Sequence, residues 1–325
     1  MTGKPCPQMV VLDGITLNPG DNPWTGLVEL GSVNLHDQTS PDELVPRLSA
    51  AEIALTNKVP IPGAALKQLP NLKLIAVTAT GHDCVDTVAA REQGIPVCNV
   101  PTYGTDSVAQ FTFALLLELC HRTGQHDQAV REGQWSRCGS FSFWLTPQVE
   151  LAGLTLGIVG YGRIGRRVAE IGRAFGMRIL VARHGTSHEL GDEESVDLEE
   201  LALRSDVITL HCGLNEHSRE MIDAMFLSRM KSSAFLINTA RGGLIQESAL
   251  AEVLNSGRLA GAGLDVASVE PIQTGNPLLT ARNCILTPHL AWSSLAARRR
   301  MMQTVVDNIR SFLAGHPVNV VNGPF

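Results

Sequence analysis

Leu154–Val159, LTLGIV, runs into Gly160–Gly165, GYGRIG, and the chain continues through Arg166–Phe175 in a pattern that can be a helix. An apolar strand, a glycine-rich turn and a helix in that order make the first half of a βαβ unit. Gly160 makes the tight turn, Gly162 lets the backbone approach a pyrophosphate, and Gly165 lets the helix pack on the strand. The helix N-terminus offers N–H groups and the positive end of its dipole to phosphates. Gly176 can end the helix, and Met177–Ala182 supplies a second apolar strand. Alone, such a turn is a weak signal, because glycine-rich turns also close loops that hold no ligand. Its flanks make it a dinucleotide-binding unit.

Beyond it, Val207–His211, Ala234–Thr239, Gly261–Val266 and Cys284–Thr287 read as further strands. Helical stretches lie between them at Asp197–Arg204, Asp223–Met230 and Glu247–Ser256. Continuous apolar strands alternating with amphipathic helices predict an α/β fold with a parallel sheet covered on both faces. The first hundred residues repeat the theme more weakly. Met9–Leu12, Glu52–Thr56, Leu72–Val77 and Pro96–Val100 are strand candidates, with helices near Pro41–Leu48 and Val85–Gln93. Ser107–His121 is apolar almost all round and predicts a buried helix. Ser293–Leu313 is a long helical pattern; if it packs on the first domain, that domain is discontinuous.

At 325 residues the chain suits two domains. It is 44% hydrophobic and 18% charged, with a formal net charge of −6, which argues against a nucleic-acid surface. Arg298–Arg300 is the one basic run and reads as a solvated helix face. No segment is apolar enough for a membrane span, and the N-terminus lacks the apolar core of a signal peptide. Seven scattered cysteines without a CxxC pair suit thiols used as small hydrophobes in a reducing cytoplasm, with no zinc site or disulfide framework.

In an open α/β sheet, ligands sit outside the carboxyl ends of the strands. Arg241 follows one such strand, Asp265 ends another with Glu270 five residues on, and His289 follows a third. Singly, each has an ordinary explanation as a loop charge, a turn residue or a hydrogen-bonded structural histidine. Together they fit the reduction of a 2-oxo acid. Arg241 offers a planar fork to the carboxylate and carbonyl, and His289 can donate the proton that the new alkoxide needs. Glu270 would orient the imidazole and favour its protonated form.

Gly157–Gly165 (GIVGYGRIG), Asn238–Glu247 (NTARGGLIQE), Gly263–Pro271 (GLDVASVEP) and Thr287–Trp292 (TPHLAW) stand in an order and spacing that resembles the D-isomer-specific 2-hydroxyacid dehydrogenases over essentially the whole chain. Thr78–Asp86 (TATGHDCVD), Pro101–Gln110 (PTYGTDSVAQ) and HLAW look most like the glycerate dehydrogenase, or hydroxypyruvate reductase, branch. The resemblance implies a Rossmann domain, residues 101–289, inserted into a flavodoxin-like substrate domain built from 1–100 and 290–325, with the active site in the cleft. It implies a catalytic triad of Arg241, Glu270 and His289, and a carboxylate-binding loop at Thr80 and Gly81. It implies cofactor contacts at Thr105, Gly160, Gly162, Arg163, Ile164, Gly165, Thr239, Ala240 and Asp265. Trp292 should border substrate or nicotinamide. Trp135 and Trp144 fall in the arm that usually helps to form the homodimer, although packing within one chain would equally explain them.

Two positions depart from the family pattern. Arg183 closes the second Rossmann strand where an NAD enzyme carries Asp. A carboxylate there binds the ribose 2′-hydroxyl, whereas an Arg, helped by Thr186, Ser187 or His184, favours a 2′-phosphate and so NADP(H) over NAD(H). Gln246 replaces the usual Asp or Asn and should alter only local hydrogen bonding. The expected substrate is a small 2-oxo acid, hydroxypyruvate or glyoxylate. Two alternatives are a phosphoglycerate or D-lactate type of dehydrogenase, and a dinucleotide-sensing corepressor-like binding protein. With nothing after Phe325, no C-terminal regulatory domain is expected, and Glu270 argues against the formate dehydrogenases, which carry Gln there.

Overall fold

A computed structural model describes residues 6–182 and 193–325. The chain forms two compact units, Met1–Gly104 with Ser293–Phe325, and Thr105–Trp292. The two crossings fall a few residues beyond the bounds read from the sequence.

The first unit is built on a parallel sheet of β1 (Gln8–Val11), β2 (Ser32–Leu35), β3 (Ile53–Thr56), β4 (Leu74–Val77) and β5 (Val97–Cys98), in the order β2-β1-β3-β4-β5. This is the flavodoxin-like order. The inner strands β3 and β4 are buried at every residue, as their unbroken apolar runs require. The edge strand β2 is largely exposed, and its polar sequence SVNL hid it from a hydrophobicity reading.

The C-terminal helix Leu295–Leu313 belongs to this unit because its buried polar groups are satisfied there. Asn308 is 1% exposed; its Nδ2 donates to Asn99 O at 2.9 Å, and its Oδ1 accepts from Asn319 Nδ2 at 2.8 Å. Asn322 then reaches Val97 N and Ile95 O. In the basic run on this helix Arg299 and Arg300 are exposed, as read from the sequence, and Arg298 is the exception. Arg298 is buried and holds Asp21 through both terminal nitrogens at 2.5 and 2.7 Å, and Arg300 donates to Tyr103 O. The guanidinium forks find acceptors that the sequence places hundreds of residues away.

The second unit carries a seven-stranded parallel sheet: β6 (Thr155–Val159), β7 (Arg178–Ala182), β8 (Glu194–Val196), β9 (Val207–Leu210), β10 (Phe235–Asn238), β11 (Gly261–Leu264) and β12 (Cys284–Leu286). Their order, β12-β11-β10-β9-β6-β7-β8, is the doubly wound Rossmann arrangement with one added strand. Strand order reverses between β6 and β9, which pair as Ile158↔Thr209 and Val159↔Leu210. The helix Arg163–Ala174 begins at the glycine turn itself, three residues before the start read from the sequence, with Gly162 as its N-cap. It ends in a Schellman motif, Gly176 N to Arg173 O and Met177 N to Gly172 O. The helix Thr105–His121 packs its Phe113, Leu116 and Leu119 into the core with Leu156, Ile158 and Ile237. Cys98 and Cys120 are fully buried, and burial pushes both thiols up to about 11, so they serve as small apolar groups. Among the described residues no helix is long and apolar enough to cross a membrane.

Candidate active site

The carboxyl ends of β6, β9, β10, β11 and β12 carry most of the candidate residues. At the end of β6, Gly160 has φ +96°, and a Cβ there would lie 2.5 Å from Cys212 N, the chain that leaves β9. Only glycine fits, because both the backbone conformation and the close approach exclude a side chain. Gly165 shares only the close approach, from inside the turn, with Gly160 O at 2.2 Å from an ideal Cβ. Gly162 is different. A Cβ there meets nothing within 4 Å, so the second glycine faces open space at the helix N-terminus. That is the cradle a pyrophosphate would fill, and the first-turn amides have no acceptor within their own helix. Arg163 is exposed beside this cradle, and Ile164 packs against the core beneath it. His211, at the end of β9, shares a 2.9 Å hydrogen bond with Thr209 Oγ1, and burial pushes its imidazole down to about 3, leaving it neutral.

After β10, the Asn238 side chain shapes the turn. Its Nδ2 donates to Arg241 O at 2.9 Å and its Oδ1 accepts from Ala240 N at 3.0 Å. Thr239 is buried and shares a 3.1 Å hydrogen bond with Thr112 on the helix Thr105–His121. Arg241 then caps the 3-10 turn Gly242–Leu244, with its Nη1 on Ala240 O at 2.8 Å. Gln246 caps the helix Glu247–Asn255 through its backbone alone, without a side-chain cap bond.

Asp265, directly after β11, is 1% exposed. Its carboxylate accepts from Thr287 Oγ1 at 2.6 Å and from the amides of Leu290 and Ala291 at 2.8 Å each. Burial pushes this carboxyl above the usual carboxylate range, and those donors pull it part of the way back. The segment Asp265 holds contains His289, which adopts φ +56° and donates its amide to Asp265 O at 2.8 Å. Ser107 Oγ fastens the far end by donating to Ala291 O at 2.7 Å. Thus held, His289 Nδ1 meets Glu270 Oε2 at 2.7 Å, while Glu270 Oε1 accepts from Ala267 N at 3.2 Å. Glu270 and His289 keep 38% and 24% of their side-chain surface exposed, so the pair is both fixed and reachable.

This architecture matches known proteins. Residues 113–291 match the family described as D-isomer specific 2-hydroxyacid dehydrogenase, NAD binding domain. The chain is 46% identical to a hydroxypyruvate reductase of Blautia hydrogenotrophica over 97% of its own length and 99% of the relative's. The chain belongs to this dehydrogenase family. It is also 44% identical to a glycerate dehydrogenase of Methylorubrum extorquens, over 87% of this chain and 89% of that one. Among solved structures, an NADPH-dependent glyoxylate/hydroxypyruvate reductase from Sinorhizobium meliloti, in complex with NADP and malonate, superposes with TM-score 0.82 at 28% identity, covering 98% of both chains. An acyclic imino acid reductase in complex with NADPH and D-Arg gives TM-score 0.85 at 32% identity, over 97% of this chain and 99% of that one. The protein is therefore an oxidoreductase with a nicotinamide-dinucleotide-binding domain.

Of the residues singled out in the sequence, the dehydrogenase fold brings Asp265, Glu270 and His289 into one bonded group and sets Arg241 on the turn next to it. Thr105 opens the long helix, and Trp292 is part-buried just beyond the Asp265-held segment. Thr80 and Gly81 lie in the other unit, where Thr80 Oγ1 donates to Val100 O at 2.8 Å and Asn99 Nδ2 donates to Thr80 O at 2.8 Å. Arg183, with His184, Thr186 and Ser187, lies outside the described residues. Sequence reasoning missed Asn238 and the grip of Asp265 on Thr287–Ala291. A polar residue ending an apolar strand was the available signal for both.

The two turn glycines give opposite expectations. Gly162→Ala should leave thermal stability near that of the native protein but weaken dinucleotide binding about tenfold or more, measured by fluorescence titration. Gly160→Ala should instead lower folding stability by more than about 1 kcal/mol in urea unfolding.

Proposed function

We propose that the protein reduces a small 2-oxo acid, hydroxypyruvate or glyoxylate, to the D-2-hydroxy acid, D-glycerate or glycolate. The observation that carries this reading is the 2.7 Å contact between Glu270 and His289, with the histidine segment locked by buried Asp265. The names of the relatives support the substrate class. A bound reduced nicotinamide dinucleotide supplies the hydride for the carbonyl carbon. An ionised carboxylate only accepts, so His289 donates Nδ1–H to Glu270 and keeps Nε2 for the reaction. That nitrogen delivers the proton to the substrate oxygen, which becomes the hydroxyl. Arg241 pairs with the substrate carboxylate and polarises its carbonyl. The carboxylate role of Thr80 and Gly81 rests on their place in the TATGHD motif. Cofactor contacts are assigned to Gly160, Gly162, Arg163, Ile164, Gly165, Thr105, Thr239, Ala240 and Asp265, with Trp292 bordering the nicotinamide.

NADP(H) is the proposed dinucleotide. Arg183 supports it by its charge, next in the sequence after Ala182, and two structural neighbours hold NADPH or NADP. A homodimer is the proposed assembly. In the arm that follows the long helix, Trp135, Phe141 and Trp144 are 50%, 90% and 69% exposed, so packing within one chain does not account for them. A second copy covering them does.

With hydroxypyruvate as substrate, His289→Ala should lose at least about 100-fold in kcat while still binding dinucleotide. Arg241→Lys should cost roughly ten- to 100-fold in kcat/KM, the worth of a charged hydrogen bond. Native kinetics in either variant would remove that residue from its role. Arg183→Asp should move the NADPH/NADH preference toward NADH by about tenfold or more, and an unchanged ratio would refute the 2′-phosphate argument. Light scattering should give about twice the 34.9 kDa chain mass, and replacing Phe141 and Trp144 with Ser should shift the protein toward monomer.

A further inference from the structure

Glu270 reaches His289 from a loop, and a loop carboxylate needs something to hold it. The grip falls on the Ala267–Ser268 peptide, a few residues before Glu270. Ala267 N donates to Glu270 Oε1 at 3.2 Å. The next amide, Ser268 N, donates to Glu247 Oε1 at 2.7 Å, and the Ser268 hydroxyl donates to Glu247 Oε2 at 2.7 Å. The same Oε2 also accepts from Asn276 Nδ2 at 2.8 Å, so one carboxylate binds both ends of the stretch that contains Glu270. On the other side, a Cβ at Gly242 would lie 1.9 Å from Ala267 C and 2.3 Å from Ser268 N. The turn that carries Arg241 therefore rests directly against the Ala267–Ser268 peptide, two residues before Glu270. Glu247 is itself the first residue of the helix Glu247–Asn255, where the helix dipole favours a negative charge.

We propose that Glu247 is a positioning residue for the reaction: through Ser268 and Asn276 it sets the Glu270 carboxylate against Nδ1 of His289. The proposal rests on the reading of Glu270 and His289 given above. Its chemical content is specific. A carboxylate offers two oxygens to donors arriving from two directions, and an amide offers only one. Glu247→Gln keeps size and shape, yet it must release Ser268 or Asn276 and turn an N–H toward one of them. The Glu270 loop then loses its register while the helix below it stays intact. A misplacement on the order of 1 Å at a catalytic group costs up to about 100-fold in rate.

The decisive experiment is a double-mutant cycle with Glu270→Gln, read as steady-state reduction of hydroxypyruvate by the full-length protein. Glu247→Gln alone should lower kcat about tenfold and leave KM for the reduced dinucleotide within about twofold. In the Glu270→Gln background the same change should cost less than about twofold, because there is no carboxylate left to place. Ser268→Ala, which removes only the hydroxyl contact, should follow the same pattern more weakly, and it keeps the test open should Glu247→Gln fold poorly. Equal losses in both backgrounds, or a parallel rise in dinucleotide KM, would show general support of the fold and overturn the proposal. If Glu270→Gln alone retains native kcat, the reading of Glu270 fails and takes the proposal with it. If Glu270→Gln is impaired and the effects multiply, only the role of Glu247 falls.

Discussion

A carboxylate with almost no access to water holds together the segment that carries His289. Burying Asp265 is costly unless donors replace the lost hydration. The chain supplies them from one segment, the hydroxyl of Thr287 and the amides of Leu290 and Ala291. The dependence runs both ways. The segment cannot relax without stranding a buried charge, and the charge is tolerable only while the segment stays in place. This mutual need lets His289 hold φ +56°, a region that costs a residue with a side chain roughly 1–2 kcal/mol. The imidazole is therefore aimed by backbone geometry, and Glu270 has only to meet it.

The same economy governs the other end of the sheet. Strand order reverses between β6 and β9, so the chains leaving these strands diverge and open a crevice. Gly160 passes close against Cys212 there, and the helix Arg163–Ala174 begins beside it with open space at its N-cap, Gly162. The glycine turn and the Glu270–His289 pair sit at carboxyl ends of one sheet because parallel topology puts those ends together.

Much of this was legible in the sequence because it follows short-range rules. The glycine turn and the buried strands β9 and β10 declare themselves through spacing and hydrophobicity. Asp197 and Asp223, where two helical stretches were read to begin, cap those helices by accepting from Glu200 N and Phe226 N. Other features were hidden for identifiable reasons. β2 and β8 are edge strands with little apolar pattern to read. Arg298 looked solvated because its partner Asp21 lies at the opposite end of the chain. Asp265 was assigned to the cofactor from family resemblance, and nothing local announces that its carboxylate accepts from the Thr287 hydroxyl and from amides some twenty-five residues on. Glu247 stood inside a recognised motif without a task, since nothing local says that Ser268 and Asn276 will fold back on it. Long-range polar pairing is the part of a structure that sequence spacing does not encode.

The hydrogen bond from Ser107 to Ala291 has a consequence for the chain as a modular object. It joins the beginning and the end of the inserted unit, so nearly two hundred residues close on themselves within that unit. In connectivity alone, the second unit is a long insertion whose closure is secured from within. Closure entropy grows only slowly with loop length, so such an insert adds little strain to its host. The dinucleotide-binding unit is thus built as a cassette, with a short bridge between residues 107 and 291 sufficient to make it a continuous ring of structure by itself.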